Sequence, residues 1–243
     1  MRKLLLIALS FAFITTTIAQ SKQAVKTATK KPVTSAKAIP VSKEKLVEIQ
    51  TDYGTMVVKL SDSTPLHRDN FVKLVKEGFY DSLLFHRVIQ GFMIQGGDPQ
   101  SKNADSAAML GMGEAPGGGL IPAEFNNALY HKKGALAMAR TNNPEKASSN
   151  CQFYIVEGKP NDNSFLNQVE CGIRQGGNMG FYYNDEQRKI YNTIGGTPFL
   201  DQNYTVFGEV IKGLEVIDKI AAVAKGGNDR PLKDVRMKMR MLN

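Results

Sequence analysis

The stretch that most constrains the fold of this chain is residues 85–98, which read FHRVIQGFMIQGGD. It predicts two short strands joined by a turn at the central Gln-Gly pair. Because strand side chains alternate, Phe92 and Ile94 should lie on one face of the second strand. Met93 and Gln95 should then share the opposite face. The hairpin is therefore expected to sort its large side chains into two sets.

Arg87 lies on the first strand of this hairpin. If the two strands pair across the turn, its guanidinium group comes close to the segment from Phe92 to Gln95. A cation, an amide and two large apolar side chains then share a small area. Such a mixture suits a ligand that has an apolar ring next to an amide group.

The rest of the chain predicts many short strands separated by turn signals. Besides the hairpin, we expect strands at 45–51, 55–60, 134–139, 152–157, 204–211 and 235–242. One helix should begin at Pro65, with Thr64 as its N-cap, and end at Gly78. An amphipathic helix is expected at 213–223. Many short strands with few helices favour a closed barrel.

Three further blocks follow the hairpin in order: GALAMAR at 134–140, NCQFYIV at 150–156 and FLDQNYTVFGEVIKGLEVIDKI at 199–220. Together the four blocks resemble the cyclophilins, which are peptidyl-prolyl cis-trans isomerases, over most of residues 46–243. The resemblance implies a mainly β fold, a closed eight-stranded antiparallel β-barrel capped by two α-helices. It also implies an enzyme that accelerates rotation about X-Pro bonds in unfolded or extended polypeptides, with no cofactor.

Transferred residue by residue, the resemblance implies that Arg87 and Gln95 are catalytic. Arg87 would hydrogen-bond towards the proline nitrogen and the substrate carbonyl, and Gln95 would assist it and bind the substrate backbone. The residues that would bind the proline and the residues before it are Phe92, Met93, Ala139, Arg140, Gln152, Tyr154, Phe199, Leu200 and Tyr204. Backbone groups of Ala139 and Arg140 would also contact an extended peptide.

The chain departs from the family pattern near this predicted site. Tyr154 stands where the family usually has phenylalanine, and its hydroxyl group needs a partner. Phe199 and Tyr204 stand where animal cyclophilins have tryptophan and histidine, which leaves cyclosporin binding open. An insertion at about 167–198 either flanks the substrate groove or is a surface excursion. Within it, residues 185–194 predict a helix.

The net charge of +8 belongs to the N-terminal segment. Residues 1–45 contain nine lysine or arginine residues and one acidic residue, so the remainder is neutral and offers no net attraction for nucleic acid. Residues 1–19 resemble a signal peptide, with a charged start, an apolar run and a small-residue cleavage site before Gln20. An uncleaved signal anchor is the alternative.

The remaining boundaries follow from composition. Residues 20–44 predict a flexible basic linker, because they contain few large apolar side chains. The resemblance implies that residues 45–243 form the isomerase domain. We therefore expect an exported protein, periplasmic or extracellular, with no membrane span after signal cleavage.

The histidines and cysteines indicate neither a metal site nor a nucleophile. His86 lies beside the candidate catalytic arginine, but rotation about a peptide bond needs no proton transfer. We interpret His86 as a packed, hydrogen-bonded structural residue. His67 and His131 show no evident partner in the sequence. Cys151 and Cys171 either pair in an exported protein or stay unpaired, with Cys151 as a buried thiol.

Three functions are compatible with these observations. The first is an isomerase that acts on newly exported chains. The second is a non-catalytic peptide-binding or chaperone module on the same fold, and the third is an envelope protein tethered by its basic tail. Arg87 together with Phe92, Met93 and Gln95 favours the enzyme. We expect a monomer, because no strong apolar surface stripe remains unassigned.

Overall fold

The computed structural model describes residues 45–242. The signal peptide and basic linker expected at 1–44 lie outside the described residues. The elements in chain order are β1 (Lys45–Thr51), β2 (Gly54–Leu60), α1 (Pro65–Lys76), β3 (Phe85–Ile89), β4 (Met93–Gly96), β5 (Ala135–Met138), β6 (Phe153–Val156), α2 (Asn163–Gln175), α3 (Asp185–Thr193), β7 (Val206–Lys212), α4 (Leu214–Ala221) and β8 (Lys238–Met241). Short 3₁₀ helices occupy Pro99–Asn103, Pro198–Leu200 and Gly227–Asp229.

These eight strands belong to one antiparallel sheet, in the order β3-β4-β6-β5-β7-β2-β1-β8. β1 and β2 pair along their whole length, from Lys45 opposite Leu60 to Thr51 opposite Gly54. β7 joins the two halves, since it pairs with β2 on one side and with β5 on the other. The mainly β, eight-stranded antiparallel architecture expected from the sequence is confirmed.

The two edge strands of the sheet, β3 and β8, come together through residues 82–85 at the start of β3 and residues 235–237, which precede β8. The amide of Ser82 donates to the carbonyl of Met237, and the amide of Met237 donates to that of Leu83, both at 2.9 Å. The amide of Phe85 donates to the carbonyl of Val235 at 2.9 Å. The sheet is therefore curled, with its edges in contact, while complete closure into a barrel stays a prediction.

Aromatic side chains fill the main hydrophobic core. The ring of Phe71 meets those of Phe153 and Phe207 edge to face, with centroids 5.7 and 5.3 Å apart. Such pairs each add about 0.5–1.5 kcal/mol beyond the burial of their area. The helices that pack on this core bring the side chains Phe71, Leu74, Val75, Val216, Ile217 and Ile220. They are α1 and α4, the two helices that the sequence predicts after Thr64 and after Lys212.

The N-terminus of α1 is capped by a residue that is distant in sequence. The carboxylate of Glu124 accepts the amides of Leu66 and His67 at 3.1 and 3.0 Å. It also lies 2.6 Å from Nδ1 of His67, whose Nε2 lies 2.9 Å from the hydroxyl of Ser148. Thr64, the expected N-cap, makes no capping hydrogen bond, because the carboxylate already satisfies these amides. His67 is thus buried with two partners that the sequence did not reveal.

The insertion is folded around a small core of its own. Its buried apolar and aromatic side chains are Leu166, Phe181, Tyr183 and Tyr191. α3 begins with a capping box between Asn184 and Gln187, which confirms the helix expected in this segment. α2 was not expected, because it contains Gly172. Asp162 caps it by accepting the amide of Phe165 at 2.8 Å.

The opposite face of the sheet carries a second hydrophobic cluster. Alternation along β6 sends Phe153 and Ile155 into the main core. It sends Tyr154 and Val156 to the other face. The side chains that pack there with them are Met93, Ala135, Ala137 and Val206. This second cluster is the foundation of the candidate site.

The two cysteines are unpaired. Cys151 is buried, and burial raises the pKa of its thiol to about 11. Cys171 is exposed on α2. Of the two arrangements that the sequence left open, the structure therefore has free thiols. In the part of the chain that the structure describes, no helix has the length and apolar character needed to cross a membrane.

Candidate active site

The β3–β4 hairpin places the two candidate catalytic residues side by side. Arg87 pairs with Gln95 across the strands. Nη1 of Arg87 donates to Oε1 of Gln95 at 3.5 Å. The arginine side chain is 42 % exposed, so a ligand can reach it. The proximity expected from the hairpin is therefore observed.

The tip of the hairpin differs from the expected turn. Ile89 pairs with Met93, so the connection is a three-residue loop at 90–92. Phe92 therefore lies outside the strand alternation. It packs with Met93 against the second cluster, whereas Ile94 enters the main core. The expectation that Phe92 shares a face with Ile94 is wrong by this one-residue shift.

Glu157 fixes this loop to the end of β6. Its carboxylate accepts the amide of Gly91. The amides of Glu157 and Gly158 both donate to the carbonyl of Phe92 at 3.0 Å. Burial raises the pKa of Glu157, against the hydrogen bond from Gly91. The loop that contains Phe92 is thus held at Gly91 by the side chain of Glu157, and at Phe92 by the backbone amides of Glu157 and Gly158.

A row of side-chain amides supports Arg87. Nε2 of Gln95 donates to Oε1 of Gln152 at 3.4 Å, and Nε2 of Gln152 donates to the carbonyl of Gly113 at 2.9 Å. The carbonyl of Gly113 can only accept, so it fixes the orientation of both amides and directs the oxygen of Gln95 towards Arg87. Gln152 is buried and does not border the cavity. It stands behind Gln95, whereas the resemblance implied that it lines the groove.

A cavity of about 750 Å³ opens beside Arg87. The predicted site residues that line it are Arg87, Phe92, Met93, Gln95, Ala139, Arg140, Tyr154, Leu200 and Tyr204. Met93 and Tyr154 are buried, and the ring of Tyr204 meets Tyr154 edge to face with centroids 5.9 Å apart. Phe199 is 49 % exposed and stacks on Phe92, with centroids 5.7 Å apart. Phe199 therefore stands beside the cavity, next to Phe92.

Ala139 and Arg140 form one wall, but their groups are largely engaged. The amide of Ala139 donates to the carbonyl of Gln152, and its carbonyl accepts another backbone amide, both at 2.8 Å. The expected peptide contact therefore lacks a free amide hydrogen at Ala139. Arg140 lies over the ring of Tyr204, 4.8 Å from its centre, and Nε donates to the carbonyl of Asn203 at 2.8 Å. The guanidinium group of Arg140 is therefore held by Tyr204 and Asn203.

Two segments that the sequence did not mark complete the cavity, a loop at 106–111 and residues 227–230, which include the last 3₁₀ helix. Asp229 reaches Arg87 there, with Oδ2 3.5 Å from Nε. Asn228 and Asp229 both have a φ of 57°, the left-handed region that few non-glycine residues adopt. No sequence signal marks this contact, because the two segments are far apart in the chain. Arg87 thus has an amide on one side and a carboxylate on the other.

The hydroxyl group of Tyr154 has the partner that its burial requires. It lies 2.9 Å from Nε2 of His131. Nδ1 of His131 lies 2.6 Å from Oδ1 of Asp201. Burial raises the pKa of Tyr154 well above its usual value, so the hydroxyl keeps its proton. His131, for which the sequence showed no partner, therefore supports the floor of the cavity.

His86 borders the same cavity and is only 4 % exposed. Neither ring nitrogen has a hydrogen-bond partner of good geometry among residues 45–242, although the carbonyl of Leu84 favours the charged form. Its packing is as expected, but the expected hydrogen bonding is wrong. Burial lowers the pKa of His86 to about 4, against the attraction of Asp98. His86 is therefore neutral at neutral pH.

The chemistry of the site follows from these contacts. A permanently charged, partly exposed arginine stands over a floor of apolar and aromatic side chains. Such a site can hold an apolar ring and donate hydrogen bonds to a nitrogen or oxygen beside it. Within residues 45–242, no group of three or more histidine, cysteine or acidic side chains is placed to hold a metal ion.

The sequence matches the profile of a family described as cyclophilin type peptidyl-prolyl cis-trans isomerase/CLD, over residues 46–240. A Staphylococcus haemolyticus protein named as a peptidyl-prolyl cis-trans isomerase is 38 % identical over 190 residues, which cover 78 % of this chain and 86 % of that protein. A Staphylococcus aureus protein of the same name is also 38 % identical, covering 78 % and 87 %. A Streptococcus pyogenes protein named as a bifunctional phosphatase/peptidyl-prolyl cis-trans isomerase is 37 % identical, covering 78 % and 37 %.

Two solved structures have a similar fold. Both are of a cyclophilin type peptidyl-prolyl cis-trans isomerase of Cryptosporidium parvum, and one was determined in the presence of the dipeptide Ala-Pro. The TM-scores are 0.59 and 0.58, with 24 % sequence identity in each case. The likeness covers 82 % of this chain and 98 % and 99 % of the two structures.

The lowered pKa of His86 predicts an acid sensitivity of the fold. In the unfolded chain a histidine takes up a proton near pH 6.5, whereas folded His86 does so only near pH 4. Stability should therefore fall as the pH drops from about 6.5 to about 4, by up to about 3 kcal/mol from this residue. His86→Gln removes the titrating group, so its unfolding free energy should fall less over this window. Denaturant unfolding of both proteins at several pH values measures the difference.

The comparison contains its own control, because His67 titrates in both proteins and its pKa is also lowered by burial. At pH 8 both histidines are neutral in the folded and unfolded states, and the two proteins should then show no linked change with pH. Equal losses of stability between pH 6.5 and pH 4 in the two proteins would contradict the assignment.

Proposed function

The chain belongs to the cyclophilin-type peptidyl-prolyl cis-trans isomerases, and we propose that it accelerates rotation about X-Pro bonds during the folding of exported proteins. Membership of the family confirms the resemblance carried by the hairpin at 85–98 and by the three later sequence blocks. The observation that supports this function most directly is the position of Arg87. It is joined to Gln95 and stands over an apolar floor that contains Met93 and Tyr154.

The reaction needs no covalent step. Resonance in the peptide bond opposes rotation with a barrier of about 18–20 kcal/mol. In the twisted state the resonance is lost, and the proline nitrogen becomes pyramidal and gains a lone pair. A donor aimed at that nitrogen stabilises the twisted state more than the planar one, which lowers the barrier. No cofactor or proton transfer is required for this chemistry.

We assign the roles in the site on this basis. The proline ring occupies the floor formed by Phe92, Met93 and Tyr154, which fixes its orientation and excludes water. Arg87 then donates towards the proline nitrogen from the rim. Gln95 holds the guanidinium group and keeps a donor or acceptor available for the substrate backbone.

Two further observations support a proline-containing peptide as the substrate. The Cryptosporidium parvum cyclophilin was crystallised in the presence of Ala-Pro, and its fold is similar to this one. The cavity of about 750 Å³ has room for more than a proline ring. We therefore propose that an extended chain lies across it, with residues on both sides of the proline in contact with the protein.

The kinetic test of this function uses Arg87→Ala. Loss of the donor should lower kcat/KM for a short X-Pro peptide by at least about tenfold, or about 1.4 kcal/mol of transition-state stabilisation. Arg87→Lys should lose most of the same activity, because an ammonium group cannot reproduce the planar fork of donors. The rate of cis-to-trans exchange is the measurement.

Arg240→Ala is the matched control, since Arg240 is an exposed arginine on β8 that bonds to Glu48. Its activity should equal that of the wild type. If neither the wild type nor the control accelerates exchange while peptide binding persists, the protein is a binding module and the catalytic proposal is wrong.

We also infer that the curled sheet is closed into a barrel. The hydrogen bonds between residues 82–85 and 235–237 support this, because they join the two edge strands. The amides of Phe85 and Met237 should then exchange with solvent as slowly as those in the centres of β1 and β2. Exchange at the rate of exposed loops would show that the edges separate. Hydrogen exchange followed residue by residue provides the measurement.

The proposal that the clients are exported proteins is based on the N-terminal sequence. Residues 1–19 have the charged start, apolar run and small residues of a signal peptide, and residues 20–44 have the composition of a flexible basic linker. The protein recovered from cells should therefore begin at Gln20 and lie outside the cytosol. N-terminal sequencing of protein from separated cell fractions tests this. A cytosolic protein that retains Met1 would refute it.

A further inference from the structure

A buried carboxylate connects the insertion to the floor of the proline-binding cavity. Asp201 is 3 % exposed, and its Oδ2 accepts the hydroxyl groups of Tyr183 and Tyr191, both at 2.6 Å. Its Oδ1 accepts the amide of His131 at 2.9 Å and lies 2.6 Å from Nδ1 of the same residue. Two of these donors belong to the insertion.

The proton positions in this network follow from the chemistry of its members. A carboxylate can only accept, so Nδ1 of His131 is the protonated nitrogen. Burial, together with the nearby charge of Asp201, raises the pKa of Tyr183 and of Tyr191, so both remain donors. Nε2 of His131 lies 2.9 Å from the hydroxyl oxygen of Tyr154. A hydroxyl group can both donate and accept, so this contact is a hydrogen bond in either protonation state of the ring.

Tyr154 is where the network reaches the cavity. It lies opposite Gln95 in the pairing of β4 with β6, and its ring is part of the cavity floor. The hydroxyl end of the ring is held by His131, while the ring itself contacts Met93 and Tyr204. A change in the position of Tyr154 therefore changes the depth of the floor beside Gln95.

The backbone at the end of the insertion is fixed to the same place. The amide of Thr197 donates to the carbonyl of His131 at 2.8 Å, and Gly196 forms a bridge with Lys132. No side chain would fit at Gly196, because a Cβ atom there would lie 2.2 Å from the carbonyl oxygen of His131. The insertion therefore contacts His131 directly through its backbone, and its tyrosine side chains reach the same residue by way of Asp201.

We propose that Tyr183, Tyr191 and Asp201 are positioning residues, which set the floor of the proline-binding cavity by holding Tyr154 through His131. The insertion is then a part of the substrate-binding apparatus and not a surface excursion. This inference rests on the proposed function, because it takes the cavity to be the site that binds proline.

The test is a double-mutant cycle. In the wild-type background, the pair Tyr183→Phe and Tyr191→Phe removes two of the four donors to Asp201 without changing the shape of the rings. We expect kcat/KM for a short X-Pro peptide to fall about fivefold, mainly through KM, because the binding of the proline ring is weakened. Tyr191→Phe alone, a milder change, should give about half of that effect on the logarithmic scale.

The pair Tyr183→Phe and Tyr191→Phe is then introduced into a protein that already carries Tyr154→Phe. This substitution removes the hydroxyl by which the network acts on the floor, so the tyrosine pair should now change kcat/KM by less than about 1.5-fold. The unfolding temperature should fall by a similar amount in both backgrounds, because the lost bonds to Asp201 are the same. If the tyrosines act by positioning Tyr154, the effects of the tyrosine pair and of Tyr154→Phe should be coupled in kcat/KM. Their effects on the unfolding temperature should be additive.

Tyr182→Phe is the matched control. Tyr182 is a tyrosine of the insertion that is 63 % exposed and lies under the guanidinium group of Arg174. Removal of its hydroxyl group should leave both kcat/KM and the unfolding temperature unchanged. An equal loss of kcat/KM in the two backgrounds, or no loss in the wild-type background, would overturn the proposal.

Failure of the proposed function would be distinguishable from failure of this inference. If the wild type does not accelerate exchange at all, the same cycle is measured on the Kd of an Ala-Pro-containing peptide by calorimetry. Coupling between the tyrosine pair and Tyr154 in Kd would uphold the positioning role, although the catalytic proposal had failed. Additive effects on Kd would refute both.

Discussion

The alternation of strand side chains is the constraint on which the rest of the structure depends. In β6, Phe153 and Ile155 enter the aromatic core, whereas Tyr154 and Val156 face the cavity side. The four residues of β6 thereby contribute both to the main hydrophobic core and to the candidate active site. A shift by one residue would take Phe153 and Ile155 out of the main core and would separate the hydroxyl of Tyr154 from His131, so the register is strongly fixed. The floor of the cavity and the main core are therefore built on the same strand.

Local patterns in the sequence predicted the strands and the meeting of Arg87 with Gln95, since a hairpin joins near neighbours. They did not place Phe92 correctly, because a three-residue loop shifts the strand register by one relative to a two-residue turn. α2 was missed because Gly172 disfavours a helix, and packing of the insertion overrides that preference. The contact of Asp229 with Arg87 was missed because it joins distant segments, for which one sequence carries no local signal.

Two buried histidines use the same arrangement in different places. In each, one carboxylate oxygen accepts the backbone amide of the histidine and lies 2.6 Å from its Nδ1, while Nε2 lies 2.9 Å from a hydroxyl group. The carboxylate is Glu124 for His67 and Asp201 for His131. The partners are 57 and 70 residues apart, which is why the sequence showed neither pair. One unit stabilises the start of α1, and the other supports the cavity floor.

The four hydrogen bonds accepted by Asp201 have a consequence for how this protein can evolve. Loss of the carboxylate alone would leave the two donors of His131 and the hydroxyl of Tyr191 without a partner, each at a cost of about 1–3 kcal/mol. Tyr183 would keep only the carbonyl of Pro198, at 3.3 Å. Together these costs approach the whole stability of a typical domain, which is about 5–15 kcal/mol. Replacement of Asp201 alone should therefore cost more stability than its replacement together with Tyr183→Phe and Tyr191→Phe, which removes two of the four donors. The tolerance of Asp201 to substitution thus depends on the two tyrosines of the insertion.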